Sequence, residues 1–295
     1  MYTIVRWLLF VVLITVNSYV YGQYLSVHNG DNITHMPGDE VNADWSSDSK
    51  NLIFENVHNG KSSILLYMLN EDTLINLSNP DQCYRNPTWH PDGNKIVFDS
   101  NKDESDYLYS LDLNTMKVVP LFNRNIACRN ASFSASARQV YFTGYDELND
   151  RWEIYSYDFI YDNINCLTNH KLGCDDSDIS FDGKQIAYCK SNPFNQTKNI
   201  MLMNWYGEHI IGFNEFTGEY PTWGSSNLKL FFVSNMDNKN VELYSIWKDG
   251  SHLERLTNDE IEIAYPIVSP DGSKIAMSVL TESGWDIYIV PFDNY

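Results

Sequence analysis

Basic residues are scarce in this chain: 20 lysines and arginines stand against 39 aspartates and glutamates, a formal net charge of −19 over 295 residues. A surface of that sign repels phosphate backbones and anionic lipid headgroups, which argues against nucleic acid and membrane-surface partners. A basic partner or a divalent cation fits better, and the plainer account is that excess carboxylate keeps the protein soluble and monomeric. Cysteine is sparse as well. The five, Cys83, Cys128, Cys166, Cys174 and Cys189, include no Cys-x-x-Cys pair, so a thiolate zinc site or a redox motif is not indicated. Long hydrophobic runs are absent after the first residues. The single apolar run, 7–16, falls short of the ~20 residues that a membrane span needs. Preceded by Arg6 and followed by Val20-Tyr21-Gly22, it reads as a secretory signal peptide cleaved after Gly22. Losing Arg6 takes the net charge of the mature chain, 23–295, from −19 to −20. No cysteine follows closely enough for a lipoprotein anchor. The expected location is secreted or periplasmic, an oxidising setting in which an odd cysteine count leaves at least one thiol unpaired within the chain.

What the chain does have is a repeat. Trp45-Ser-Ser-Asp-Ser-Lys-Asn-Leu-Ile-Phe54 resembles Trp89-His-Pro-Asp-Gly-Asn-Lys-Ile-Val-Phe98, and the frame returns from Phe133, Ile179, Trp223 and Val268. Successive anchors lie 44, 44, 46, 44 and 45 residues apart. After each anchor comes a turn, as at Asp92-Gly93, Asp182-Gly183 and Asp271-Gly272, where glycine supplies the positive φ of a tight hairpin. An apolar triplet such as Leu52-Ile53-Phe54 follows and reads as a strand buried on both faces. A third strand recurs with Leu65, Leu108, Ile154, Ile200, Leu243 or Ile287 at one fixed place, and a weaker fourth strand closes each unit, as at 74–77, 164–167 and 253–256. No stretch shows helical periodicity. Four short strands in each of six ~45-residue units predict an all-β, six-bladed β-propeller. The last unit ends after its third strand, and an open edge there would invite aggregation. The segment 32–35 resembles the other fourth strands, so it is expected to pair with 286–290 and close the ring without a covalent bond.

The frame Trp-x-Pro-Asp-Gly-x-x-Ile-x-Phe, followed by a strand of the Ile-Tyr-x-x-Asp kind and then Leu-Thr, resembles the propeller repeats of the TolB family. Residues 89–99 and 243–257 carry the likeness best, and it extends over nearly the whole of 23–295. The resemblance implies the propeller, an export route and protein binding. TolB also carries an N-terminal α/β domain, for which the segment before Trp45 has no room, so the likeness does not extend to the Tol–Pal role.

Catalytic signatures are missing from the chain. There is no Gly-x-Ser-x-Gly nucleophile elbow and no length for a hydrolase domain beside the propeller. The seven histidines, His28, His35, His58, His90, His170, His209 and His252, include no His-x-x-x-His pair. Ligands drawn from separate blades would escape such a search, which keeps a carbohydrate-active enzyme, a lyase or hydrolase with its site in the channel, as the alternative function. The acidic loops 103–106 and 146–150 offer the clustered oxygens that Ca²⁺ prefers, although neither has an EF-hand pattern and solvated loops explain them equally well. Four sequons begin at Asn32, Asn76, Asn130 and Asn195.

Geometry points to a candidate surface. The first strand of each propeller blade lines the central channel, so residues just ahead of the anchors form rings at one mouth. Three residues ahead lie Asn42, Asn86, Asn130, Asp176, Tyr220 and Tyr265; one step earlier lie Val41, Arg85, Arg129, Asp175, Glu219 and Ala264. Arg85 and Arg129, in neighbouring blades, are placed to clamp a carboxylate. Asp175, Asp176 and Glu219 are placed to accept a basic group, or all these charges satisfy one another. The leading expectation is a scaffold that grips a protein or peptide in this mouth, with no cofactor beyond a Ca²⁺. Cys128 and Cys174 each fall five residues ahead of their anchors in adjacent blades. A disulfide between them is therefore expected, contributing ~3–4 kcal/mol by loop closure, with Cys83 as the rival partner for Cys128.

Overall fold

Each repeat folds as one four-stranded antiparallel sheet in a computed structural model that describes residues 24–79, 82–101, 105–123, 126–192, 197–237 and 240–292. The segment 1–22 expected to be a signal peptide, Asp103 and Glu104 of the first acidic loop, and the sequon at Asn195 lie outside the described residues. The inner strands, one per blade, are Asp39–Trp45, Arg85–Trp89, Cys128–Phe133, Cys174–Ile179, Glu219–Trp223 and Ile263–Val268. From each, a hairpin leads outward to a second strand and a third; a short fourth follows in the first five blades and comes from the N-terminal segment in the sixth. Among the described residues there is no α-helix, only a single 3-10 turn at Val27–Asn29.

The apolar triplets are buried on both faces because blades pack against each other as stacked sheets. Leu52, Ile53 and Phe54 are fully buried, as are Ile96, Val97 and Phe98. Burying side chains of this kind stabilises by ~1.5–3 kcal/mol each, the main term available to a fold without helices. The six first hairpins repeat one turn. Its closing backbone hydrogen bond runs from Ser49, Gly93, Ala137, Gly183, Asn227 and Gly272 to the residue three back, at 2.7–3.0 Å. All six donors have positive φ, between 55° and 73°. Glycine occupies three of those places, where a side chain would strain the backbone.

The ring closes as the missing outer strand requires. Asp31–Asn32 pairs antiparallel with Gly284–Pro291, opposing Asp31 to Ile289 and Asn32 to Tyr288. The Ile33 N–H donates to the Ile287 carbonyl at 3.0 Å, and the Ile287 N–H donates to the Thr34 hydroxyl at 2.8 Å. A second tie reaches into the fifth blade: the Leu25 N–H donates to the Leu256 carbonyl at 2.7 Å, and Val27 is buried beside Val279 and Val290. Trp45, Leu52 and Phe54 of the first blade pack on Ala276, Ile287 and Ile289 of the sixth, completing the joint.

The cysteines depart from expectation. All five are free thiols, so the Cys128–Cys174 bond is not formed, nor its Cys83–Cys128 rival. The reason is blade thickness. Cys128 packs between the second and third blades, against Val97, Leu108 and Phe142. Cys174 packs between the third and fourth, against Tyr141, Ile154 and Tyr188. Equivalent positions in adjacent blades thus face separate apolar layers, and each thiol acts as a small hydrophobe.

Candidate binding site at the channel mouth

Every inner strand carries a β-bulge at the same place. Its pairing with the second strand slips between Val41 and Asp44, Arg85 and Thr88, Arg129 and Ser132, Asp175 and Asp178, Glu219 and Thr222, and Ala264 and Ile267. The inserted residues are Asn42, Asn86, Asn130, Asp176, Tyr220 and Tyr265, all left-handed with φ of 47–54°. A bulge re-aims a side chain, and here all six line one cavity of about 450 Å³ at the channel mouth. Asparagine and aspartate tolerate this conformation through their short polar side chains. Tyrosine does not, and two adjacent blades hold one there. Their rings lie 4.1 Å apart between centroids.

The ring is wired from blade to blade. The Asn42 side-chain amide donates to the Asn86 carbonyl oxygen at 2.7 Å, and the Asn86 amide donates to Asp99 at 2.7 Å. The Asn130 amide donates to Asp176 at 3.3 Å. Lys198, on the third strand of the fourth blade, reaches Asp176 at 2.9 Å, Asp175 at 3.0 Å and Glu219 at 3.8 Å. Burial opposes the Lys198 charge, but Asp176 and Asp175 outweigh it and hold the ammonium well above its ordinary range. The ligand atoms of Asp175, Asp176 and Cys189 lie within 4.8 Å of one another, the one metal-type cluster among the described residues. Lys198 contacts both of those carboxylates and supplies the positive charge that a metal ion would. In the outlying acidic loops, Asp106 is ion-paired with Arg85, and Asp146 accepts from the Leu148 and Asn149 N–H groups at 3.0 and 3.3 Å.

The second expected ring does not stand in the lumen as a ring. Of its members only Arg129 lines the cavity. Arg85 turns away to Asp99, at 3.3 Å, and to Asp106, so the two arginines do not form a joint clamp. Asp175 and Glu219 stand behind the ring as partners of Lys198.

Spacing did not reveal three features. Lys198 comes from a third strand and so escapes any rule built on inner strands. Trp152 carries the Arg129 guanidinium 4.3 Å above its ring centroid. The third feature is the waist, one residue ahead of each anchor: Asp44, Thr88, Ser132, Asp178, Thr222 and Ile267 line both the mouth cavity and a second one, of about 320 Å³, at the opposite end. Asp44 and Asp178 belong to opposite blades. Asp44 accepts from the Thr88 hydroxyl at 2.9 Å and the Trp89 N–H at 2.7 Å; Asp178 accepts from the Thr222 hydroxyl at 3.1 Å and the Trp223 N–H at 3.0 Å. Both therefore staple one blade to the next. Burial pushes Asp44 up to about 7 and Asp178 up to about 6, against the pull of those hydrogen bonds. His90 lies at the far mouth, beyond the waist, edge-on to Phe133 at 4.9 Å.

Six bulged inner strands around a lumen with a cavity at each end define a six-bladed channel propeller. The chain belongs to the TolB β-propeller domain family, whose model matches residues 28–267. A propeller of Agrobacterium tumefaciens described as a TolB superposes with a TM-score of 0.68 at 17% identity, over 89% of this chain and 93% of that one. The oligogalacturonate lyase of Vibrio parahaemolyticus superposes with a TM-score of 0.60 at 11% identity, over 88% of this chain and 92% of the lyase. At such identities both likenesses concern the fold. The Bacillus subtilis protein named "Uncharacterized peptidase YuxL" is 29% identical over 113 residues, which are 36% of this chain and only 17% of YuxL.

Proposed function

We propose that this protein is an exported, monomeric scaffold that grips a peptide segment of a partner protein in the bulged channel mouth. The observation that carries the reading is the tyrosine pair. A bulky residue with positive φ costs on the order of 1–3 kcal/mol, and such strain persists where surrounding structure imposes it, often at binding sites. Tyr220 and Tyr265 both carry it, and both face the lumen beside Lys198, Asp176 and Arg129. Rigid aromatic faces beside mixed charge suit a peptide, which offers apolar side chains and polar backbone together. The net charge of the full chain, −19, favours a partner whose overall surface is basic.

The test is affinity capture with the parent and with Tyr220→Asn/Tyr265→Asn. Asparagine keeps the left-handed backbone and removes the rings. Partners held by the parent should be lost by the double variant while its melting temperature holds or rises. Equal capture by both proteins would show that the mouth is the wrong surface. The alternative, a carbohydrate-active enzyme, predicts steady product release from oligogalacturonate by the same preparation.

A further inference from the structure

Two blades solve the same local problem differently. In the second blade Arg85 sits opposite Asp99 on the neighbouring strand and is ion-paired with it and with Asp106. In the third blade the equivalent residue is Arg129, and the residue opposite it is Thr143. The place of Asp106, two residues ahead of Leu108, is taken by Trp152, two ahead of Ile154. Both acids that neutralise Arg85 are thus missing around Arg129. Its guanidinium carbon sits 4.3 Å from the centroid of the Trp152 ring, and among the described residues no carboxylate is ion-paired with it. The Nε of Arg129, like that of Arg85, is buried without a hydrogen-bond partner; what differs in the third blade is the hydroxyl of Thr143, also without a partner and on a residue with no exposed surface. Asp175, whose carboxylate the Arg129 charge influences, is held by Lys198 at 3.0 Å through one oxygen, while its other oxygen is buried without a hydrogen-bond partner.

The geometry points to Arg129 as the carboxylate-recognising residue of the mouth, so that the bound peptide is one with an acidic side chain. This rests on the peptide-binding reading above and gives it a chemical requirement. The Trp152 ring restrains the guanidinium over its face and takes none of its N–H donors, and a carboxylate takes two such donors in parallel. The tryptophan also keeps water from one face, which strengthens that contact. An acidic peptide side chain set here would have the Tyr220 and Tyr265 rings across the same cavity for a neighbouring apolar group.

The experiment screens a library of C-terminally amidated heptapeptides on the immobilised parent protein and measures the selected binders in solution. The parent should select Asp or Glu at one position, and replacing that residue with its amide should weaken binding about tenfold or more. Arg129→Gln should erase the difference between acid and amide, and Arg129→Lys should keep part of it. Thr143→Asp/Trp152→Asp rebuilds the second-blade arrangement in the third, so it should erase the difference with Arg129 still present. Melting curves confirm that each variant is folded. Binders that tolerate the amide on the parent, or keep the acid preference on Arg129→Gln, overturn the carboxylate subsite and leave the peptide-binding mouth standing. A parent that selects no peptide but binds trigalacturonate in an Arg129-dependent way supports the subsite and overturns the peptide reading. Failure to bind either probe overturns both.

Discussion

The joint that closes the ring should make stability depend on pH through one residue, Glu40. In the third blade the buried acid Glu153 accepts from the Thr168 hydroxyl at 2.5 Å and pairs with Arg151 at 2.7 Å; in the fifth, Glu242 accepts from Thr257 at 2.5 Å and pairs with Arg255 at 2.7 Å. The threonine hydroxyl also accepts the N–H of the next third-strand residue in both blades, at 2.9 Å. In the sixth blade Asp286 takes the place of the acid and Thr34, from the N-terminal segment, that of the threonine. Instead of an arginine, the joint holds a second acid, Glu40, fully buried and hydrogen-bonded by the Asn56 amide. Burial first, and the Asp286 carboxylate beside it, push Glu40 from 4.5 up to about 7. A proton held more tightly in the fold than in the unfolded chain gives stability that is complete below pH ~4.5 and lost as pH rises through ~7. At about 1.4 kcal/mol per pH unit that is ~3 kcal/mol, and screening by nearby solvent lowers it to ~2 kcal/mol. Glu40→Gln keeps the acceptor for Asn56, gives Asp286 a donor and cannot ionise. The variant should therefore melt ~4–8 °C above the parent at pH 9, with the gap closing by pH 4.5. Differential scanning calorimetry of both proteins from pH 4.5 to 9 measures it. The difference between the two proteins is the relevant quantity, because Asp44 and Asp178 titrate in the same window in each. A gap that stays constant with pH, or a parent that melts higher at pH 9, refutes the reasoning.

Removing residues 23–34 takes away the closing strand, the Thr34 hydroxyl and the buried Val27, and should cost more than ~3 kcal/mol; a truncated protein that melts like the parent would exclude this closure. Thiol labelling of the native protein should modify Cys166, which is exposed, before Cys83, and should reach Cys128, Cys174 and Cys189 only on unfolding. Burial pushes the Cys128 thiol up to about 12, which makes it unreactive at neutral pH. A non-reduced peptide map that recovers Cys128 joined to Cys174 would contradict the packing described here.

The frame was legible because it is periodic. Anchors every 44–46 residues locate the six inner strands, and the missing outer strand of the last repeat locates the closure. The ring of inserted residues was legible for the same reason: Asn42, Asn86, Asn130, Asp176, Tyr220 and Tyr265 stand at one offset and share one cavity. One step further the rule failed, because the bulge breaks the alternation that strand reasoning assumes. A position next to an inserted residue has no fixed face, so Arg129 meets the lumen while Arg85 turns to Asp99. The disulfide reading failed on the same kind of ground, since equal offset along the chain says nothing of the apolar layer between blades that separates Cys128 from Cys174. Lys198 was invisible because a third-strand residue reaches the mouth only by the length of its side chain. These failures share a cause. Whatever all six blades have in common serves the propeller and can be read from spacing. The proposed ligand discrimination rests instead on where one blade departs from the others, as with tyrosine in a left-handed bulge, or threonine and tryptophan where the neighbouring blade has two aspartates. Such departures acquire meaning only when the blades are superposed and each residue is compared with its five equivalents.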